Sequence, residues 1–205
     1  MTTAKDLLII AIDMDPSRPV GQGDLSLALA GAEVIDLLRA RALELDGDRI
    51  VPAQQPTTED HLDDRLLAEA ASALAPQVPY ESVADWLWRR GSGLSSAYRV
   101  ALERSGELTR QRHRRMPFGA TRVVVVDSPA RRRARNRWAA DEPILAVLAA
   151  AVGIQGDQTA DAAGVTDDEV TTVLAAVHDA VMELEAERQR RSIENAAFAN
   201  LWRGA

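Results

Sequence analysis

The sequence predicts a mainly α fold: a single compact multi-helix domain over residues 1–205, with one short hairpin and one longer, protruding β-hairpin. Apolar residues recur at three- and four-residue spacing along most of the chain, the pattern of helices that bury one face. Strand signals are confined to two places, one around Asp46-Gly47 and one around Pro117-Phe118-Gly119. Hydrophobic residues make up 46% of 205 residues, enough for one sizeable core.

Leu7, Leu8, Ile10 and Ala11 define a first short helix with Thr3 as its cap, closed by Asp13-Met14-Asp15-Pro16. From Asp24 to Ala42 apolar residues surround most of a helix and leave Glu33 and Asp36 on a narrow polar strip, so this helix is expected at the centre. Gly31 inside it costs about 1 kcal/mol relative to alanine, acceptable where another backbone packs closely. Leu43-Glu44-Leu45 and Arg49-Ile50-Val51 then flank the Asp46-Gly47 turn, where glycine supplies positive φ. After Pro56, Leu62, Leu66, Leu67, Ala70 and Leu74 share a helix face. Ser82 and Asp85 approximate a capping box for a helix carrying Trp86 and Trp88 and closed by Gly91.

Leu94 to Ser105 forms the next helix, with Tyr98, Ala101 and Leu102 buried and Gly106 as its left-handed cap. The longer hairpin runs from Leu108 to Met116 and from Ala120 to Val126. Ser128-Pro129 opens a very basic helix, and Asp141 with Pro143 opens another that ends at Gly153. Val170, Val173, Leu174, Val177, Val181 and Leu184 fall on one face of a long helix, and Ile193 to Trp202 predicts a last short one.

Cysteine is absent, which excludes disulfides, thiolate metal ligands and thiol catalysis. The apolar run Leu7 to Ile12 is far shorter than the roughly 20 residues a bilayer span requires, so the expected location is the cytoplasm, with any membrane contact peripheral. His61, His113 and His178 are scattered without metal-ligand spacing, and no phosphate-binding loop or nucleophile elbow is present. The chain therefore reads as non-catalytic, with no cofactor. Asp60, Asp63 and Asp64 lie close together on one predicted helix, either as a metal site or as a solvated first turn.

The net charge is −7, yet between Arg99 and Trp138 twelve arginines face only Glu103, Glu107 and Asp127. One face is therefore expected to be positive. In the hairpin, Arg110, Arg112, Arg114, Arg115 and Arg122 surround an apolar tip of Met116, Pro117 and Phe118. A shallow membrane wedge has this composition, and each basic residue near an anionic surface contributes about 1 kcal/mol. The same hairpin could instead pack on a second copy of the chain. Arg131, Arg132, Arg133, Arg135 and Arg137 occupy nearly all sides of their helix, which suits a solvated face, although a phosphate or acidic partner would relieve positive charge at a helix start.

Several segments in order resemble the Golgi phosphoprotein 3 family, in a bacterial-type form. These are Asp6-Leu7-Leu8-Ile9-Ile10-Ala11-Ile12, then Leu27 to Leu37, then Arg41-Ala42-Leu43-Glu44-Leu45 leading into the hairpin. Pro56-Thr57 through Leu66-Leu67, Ser82 to Leu87, and Leu102 to Leu108 follow, so the resemblance runs from about Asp6 to Pro129. It implies a helical adaptor, eukaryotic members of which bind phosphatidylinositol 4-phosphate and recruit Golgi enzymes or myosin. The family's four headgroup positions fall here on Gly21, Ala30, Ser92 and Ser95. Either the lipid differs, or Arg18, Arg89, Arg90 and Arg99 nearby supply the charge, or the site is gone. The expected function is peripheral binding of an anionic phospholipid, a phosphoinositide or a bacterial substitute. Arg18, Arg89, Arg90, Arg99, Arg112, Arg114 and Arg115 would bind headgroups, and Met116, Pro117 and Phe118 would insert.

Two alternatives remain: a protein-interaction scaffold without lipid binding, and a helix-turn-helix regulator built on Thr159 to Thr166. The second would present Asp167-Asp168-Glu169 to phosphates, the wrong charge, so nucleic acid is not an expected partner. Protein cargo and a homo-oligomer through the 108–126 hairpin are the further partners considered.

Overall fold

A helix apolar on nearly every side has to be surrounded, and that requirement organises the molecule. The computed structural model describes residues 2–14, 20–53, 64–74, 78–112, 121–154 and 164–203. Its axis is α2 (Gln22–Arg39), in which every residue from Leu25 to Ile35 is buried, and Leu37 as well. Around it pack α1 (Thr3–Asp13), α4 (Val83–Arg90), α5 (Leu94–Arg104) and α8 (Asp168–Arg203), with α3 (Arg65–Ser72) and α7 (Pro143–Ala151) touching it more lightly. The mainly α single core expected from the periodicity is what the chain forms.

The caps are largely those the sequence announces. Ser82 Oγ accepts from the Asp85 amide at 3.0 Å while its hydroxyl donates to Asp85 Oδ2 at 2.7 Å, which starts α4. Ser128 accepts from the Arg131 amide at 3.2 Å and Pro129 takes the first position of α6 (Pro129–Ala139). Two caps shift by one residue. Thr2, not Thr3, caps α1, and Glu142, not Asp141, caps α7 by accepting from the Leu145 amide at 2.8 Å.

The Asp46-Gly47 turn joins β1 (Leu43–Asp46) to β2 (Arg49–Pro52) antiparallel, with Leu45 opposite Ile50 and Gly47 at φ 62°. The longer hairpin pairs β3 (Leu108–Arg112) with β4 (Thr121–Val125), from Leu108 opposite Val125 to Arg112 opposite Thr121. Residues 58–63, expected to begin the third helix, lie outside the described residues, and α3 starts at Arg65 with Asp64 accepting from the Leu66 amide.

Two expectations are corrected. Gly31 admits a side chain, not a backbone: a Cβ there would collide with Val177 Cγ2 of α8. The two predicted C-terminal helices are one continuous helix of 36 residues, about 54 Å long. Between Leu184 and Ile193 the apolar repeat lapses, but good helix formers and the Arg191–Glu187 pair at 2.8 Å carry the helix through.

Candidate membrane-facing site

The root of the long hairpin is fixed by burial. Leu108 and Val125, opposite each other, are both buried, and the two strands pack on α1 and α5. Glu107 closes the root by pairing with Lys5 of α1 at 3.0 Å, and Arg110 reaches Glu103 of α5 at 3.1 Å. The hairpin is thus seated on α5, the helix that carries Arg99 and Arg104. Among the described residues neither of these arginines has an acidic partner, and Arg99 Nε is buried without a hydrogen bond. Arg112 ends β3; Arg18, Arg114, Arg115, Met116, Pro117 and Phe118 lie outside the described residues.

Arg89 and Arg90, adjacent in sequence, have separate surroundings. Arg89 forks onto Glu81 at 2.7 and 2.6 Å, lies 4.9 Å from the Trp86 ring centroid, and is half exposed. Arg90 turns inward and holds Glu33 of α2 with two bonds of 2.8 and 2.9 Å, donating also to the Leu66 carbonyl at 3.0 Å. The Tyr98 hydroxyl donates to the same Glu33 at 3.1 Å. Glu33 has no exposed surface, so the polar strip expected on α2 is at this point a buried ion pair. Burial pushes the Glu33 carboxyl up, against the pull of Arg90 and the Tyr98 hydroxyl, and burial also lifts the Tyr98 hydroxyl well above its usual range. Asp36, the other member of the strip, accepts from the Ala4 amide at 3.3 Å and is likewise raised by burial.

The basic helix α6 differs from the solvated face expected of it. Arg137 reaches Asp6 of α1 at 2.7 Å and Glu142 at 3.0 Å, and Arg133 forks onto the same Asp6. Arg131 forks onto Asp13, which Arg135 approaches at 3.6 Å, and Arg132 pairs with Asp127 at 3.1 Å. For Arg131, Arg133, Arg135 and Arg137 the neutralising acids include Asp6 and Asp13 of α1, more than a hundred residues away in sequence. Local charge counting along the helix carries no trace of them.

A separate cavity of about 330 Å³ opens between the start of α2, the α4–α5 turn and α8. Ser92 and Ser95 line it, and Gly21 immediately precedes Gln22, which lines it too. Ala30 is fully buried further along α2. Three of the four positions singled out by the family resemblance therefore gather at one mouth, without a cation among them.

Among the described residues no group of three or more histidines and carboxylates is placed to hold a metal ion. Asp64 is a helix cap, while Asp60 and Asp63 fall outside the described residues. No described helix is long and apolar enough to cross a membrane.

These features define a class: a one-core helical scaffold around a buried central helix, with a hairpin whose strands pack on α1 and α5. The family model for Golgi phosphoprotein 3 (GPP34) matches residues 4–196, and the chain belongs to that family. The match continues well past Pro129, where the recognisable motifs end, and takes in α6, α7 and most of α8. No curated protein matches the chain.

Proposed function

We propose that the protein is a non-catalytic peripheral membrane protein that meets anionic phospholipid with the 108–126 hairpin and the adjoining surface of α5. The supporting observation is the division of its arginines. Those of α4 and α6 are held by acids of the fold: Glu81, Glu33, Asp6, Asp13 and Asp127. Those of α5, Arg99 and Arg104, have no such partner among the described residues, and their helix packs on β3, the strand that leads in sequence to Arg114, Arg115 and the Met116-Pro117-Phe118 segment. Uncompensated cations next to apolar side chains match an anionic bilayer in both charge and polarity. Arg89 and Arg90 remain in this reading as supports of α4, and headgroup contact falls to Arg99, Arg112, Arg114 and Arg115.

Co-sedimentation with vesicles of phosphatidylcholine alone, with phosphatidylglycerol, or with phosphatidylinositol 4-phosphate, at low and high salt, tests this. Binding to the anionic vesicles is expected, weakened by salt and abolished in Phe118→Asp and in Arg114→Glu/Arg115→Glu. Absence of binding to every vesicle would remove the membrane reading and leave a scaffold that binds proteins.

A further inference from the structure

The cavity between α2, α4–α5 and α8 suits a different chemistry from the hairpin. No lysine, arginine or histidine is among its lining residues. The nearest charges are committed to each other: Arg188 of α8 holds both oxygens of Asp24 at 2.7 and 2.8 Å and lies 3.5 Å from Glu185. The floor is already hydrogen-bonded. The Ser95 amide donates to Ser26 Oγ at 3.1 Å, the Ser26 hydroxyl to Ser95 Oγ at 3.0 Å, and the Ser95 hydroxyl to the Gln22 carbonyl at 3.2 Å. The first amides of α5 are used as well, since those of Ser96 and Ala97 both donate to the Gly93 carbonyl. An anion entering here would meet only a guanidinium already paired with Asp24, and no free cluster of helix amides.

What remains available is of another kind. Trp88 is 41% exposed and lines the cavity with Leu27 and Leu184, while Gln22, Ser92 and Ser96 expose an amide and two hydroxyls at its rim. An aromatic wall beside uncharged groups that both donate and accept fits a ligand with an apolar C–H face and hydroxyls around its edge. About 330 Å³ lies at the small end of ligand sites, roughly 300–1,000 Å³.

We propose that this cavity binds an uncharged pyranose ring, stacked on Trp88 and bridged by Gln22, Ser92 and Ser96. The ring could be free or the headgroup of a glycolipid, and only the second case rests on the membrane reading above. Gly23 contributes by omission: a Cβ there would press on Leu184 and Arg188, so glycine is what lets α8 form the far wall.

The test has two arms. In solution, saturation-transfer NMR and calorimetry with methyl α-glucopyranoside and methyl α-mannopyranoside probe the ring alone. On membranes, co-sedimentation compares phosphatidylcholine vesicles with and without glucosyl diacylglycerol at high salt, where hairpin attachment is suppressed. Binding in either arm that is insensitive to salt and falls about tenfold in Trp88→Ala supports the proposal. Ser92→Tyr, at an exposed position, should block the mouth in the same assays without disturbing the core. Binding only in the second arm identifies a glycolipid. Failure of both glycosides and of the glycolipid vesicles, or sugar binding unchanged in both variants, overturns the proposal. Arg114→Glu/Arg115→Glu leaves the solution arm untouched, so a failed hairpin and a failed sugar site give different results.

Discussion

Glu33 is a carboxylate with no exposed surface, in the middle of the helix on which α1, α4, α5 and α8 pack. Its two bonds from Arg90 and one from Tyr98 satisfy it, and such an arrangement is far more costly to break than it was favourable to make. Arg90→Met should lower unfolding free energy in urea by about 3 kcal/mol. Adding Glu33→Leu should restore most of that loss, since a matched apolar pair removes the stranded charge. Tyr98 gives a second, pH-dependent consequence. Its folded value lies well above the usual 10.0, first because it is buried and then because Glu33 faces it. The folded protein therefore keeps a proton that the unfolded chain releases, and the contribution of Tyr98 to stability, constant below about pH 10, falls as pH rises from there towards the folded value. Absorbance at the tyrosinate band, compared between the wild type and Tyr98→Phe, should show that Tyr98 resists ionisation until the protein unfolds. Tyr98→Phe should shallow the alkaline loss of stability.

At the level of elements, the seating of α8 on α2 depends on a missing side chain. Alanine at Gly31 would gain about 1 kcal/mol of helix propensity but drive its Cβ into Val177 Cγ2. Overpacking of this sort typically costs about 1–3 kcal/mol, so Gly31→Ala should lower Tm, and Val177→Ala in the same chain should recover part of the loss. Here the sequence was readable in part: Gly31 announced a close approach, though not that a valine more than a hundred residues away makes it. Elements were legible where their signals are local, as in the Ser82-Asp85 box, Ser128-Pro129 and the Asp46-Gly47 turn. The break expected before Ile193 was not there, because an apolar repeat marks where a helix is packed and not where it continues into solvent; beyond Arg188 the described side chains are predominantly exposed. The same limit applied to the site. Composition marked α6 as a basic face, and only tertiary contacts show that Asp6 and Asp13 of α1 hold its arginines.

For the molecule as a whole, a net charge of −7 opposes approach to an anionic surface, so attachment requires positive charge that is both concentrated and uncompensated. The fold supplies this unevenly. It spends Asp6, Asp13 and Glu142 on α6, while on the α5 side Glu103 holds Arg110 and leaves Arg99 and Arg104 without an acidic partner among the described residues. Charge reversal should therefore have position-dependent effects that total charge does not predict. Arg132 of α6 is 60% exposed and paired with Asp127, so Arg132→Glu can be made without disturbing the core. It changes the net charge by two, from −7 to −9. At about 1 kcal/mol for each cation lost near a bilayer, Arg114→Glu/Arg115→Glu should weaken binding to phosphatidylglycerol vesicles well over tenfold. Arg132→Glu should change it by no more than about twofold, and should leave its salt dependence intact. Co-sedimentation across a salt series measures both. Equal losses per charge reversed at the two positions would mean that the protein senses anionic lipid through its overall field, and the hairpin would then have no privileged role.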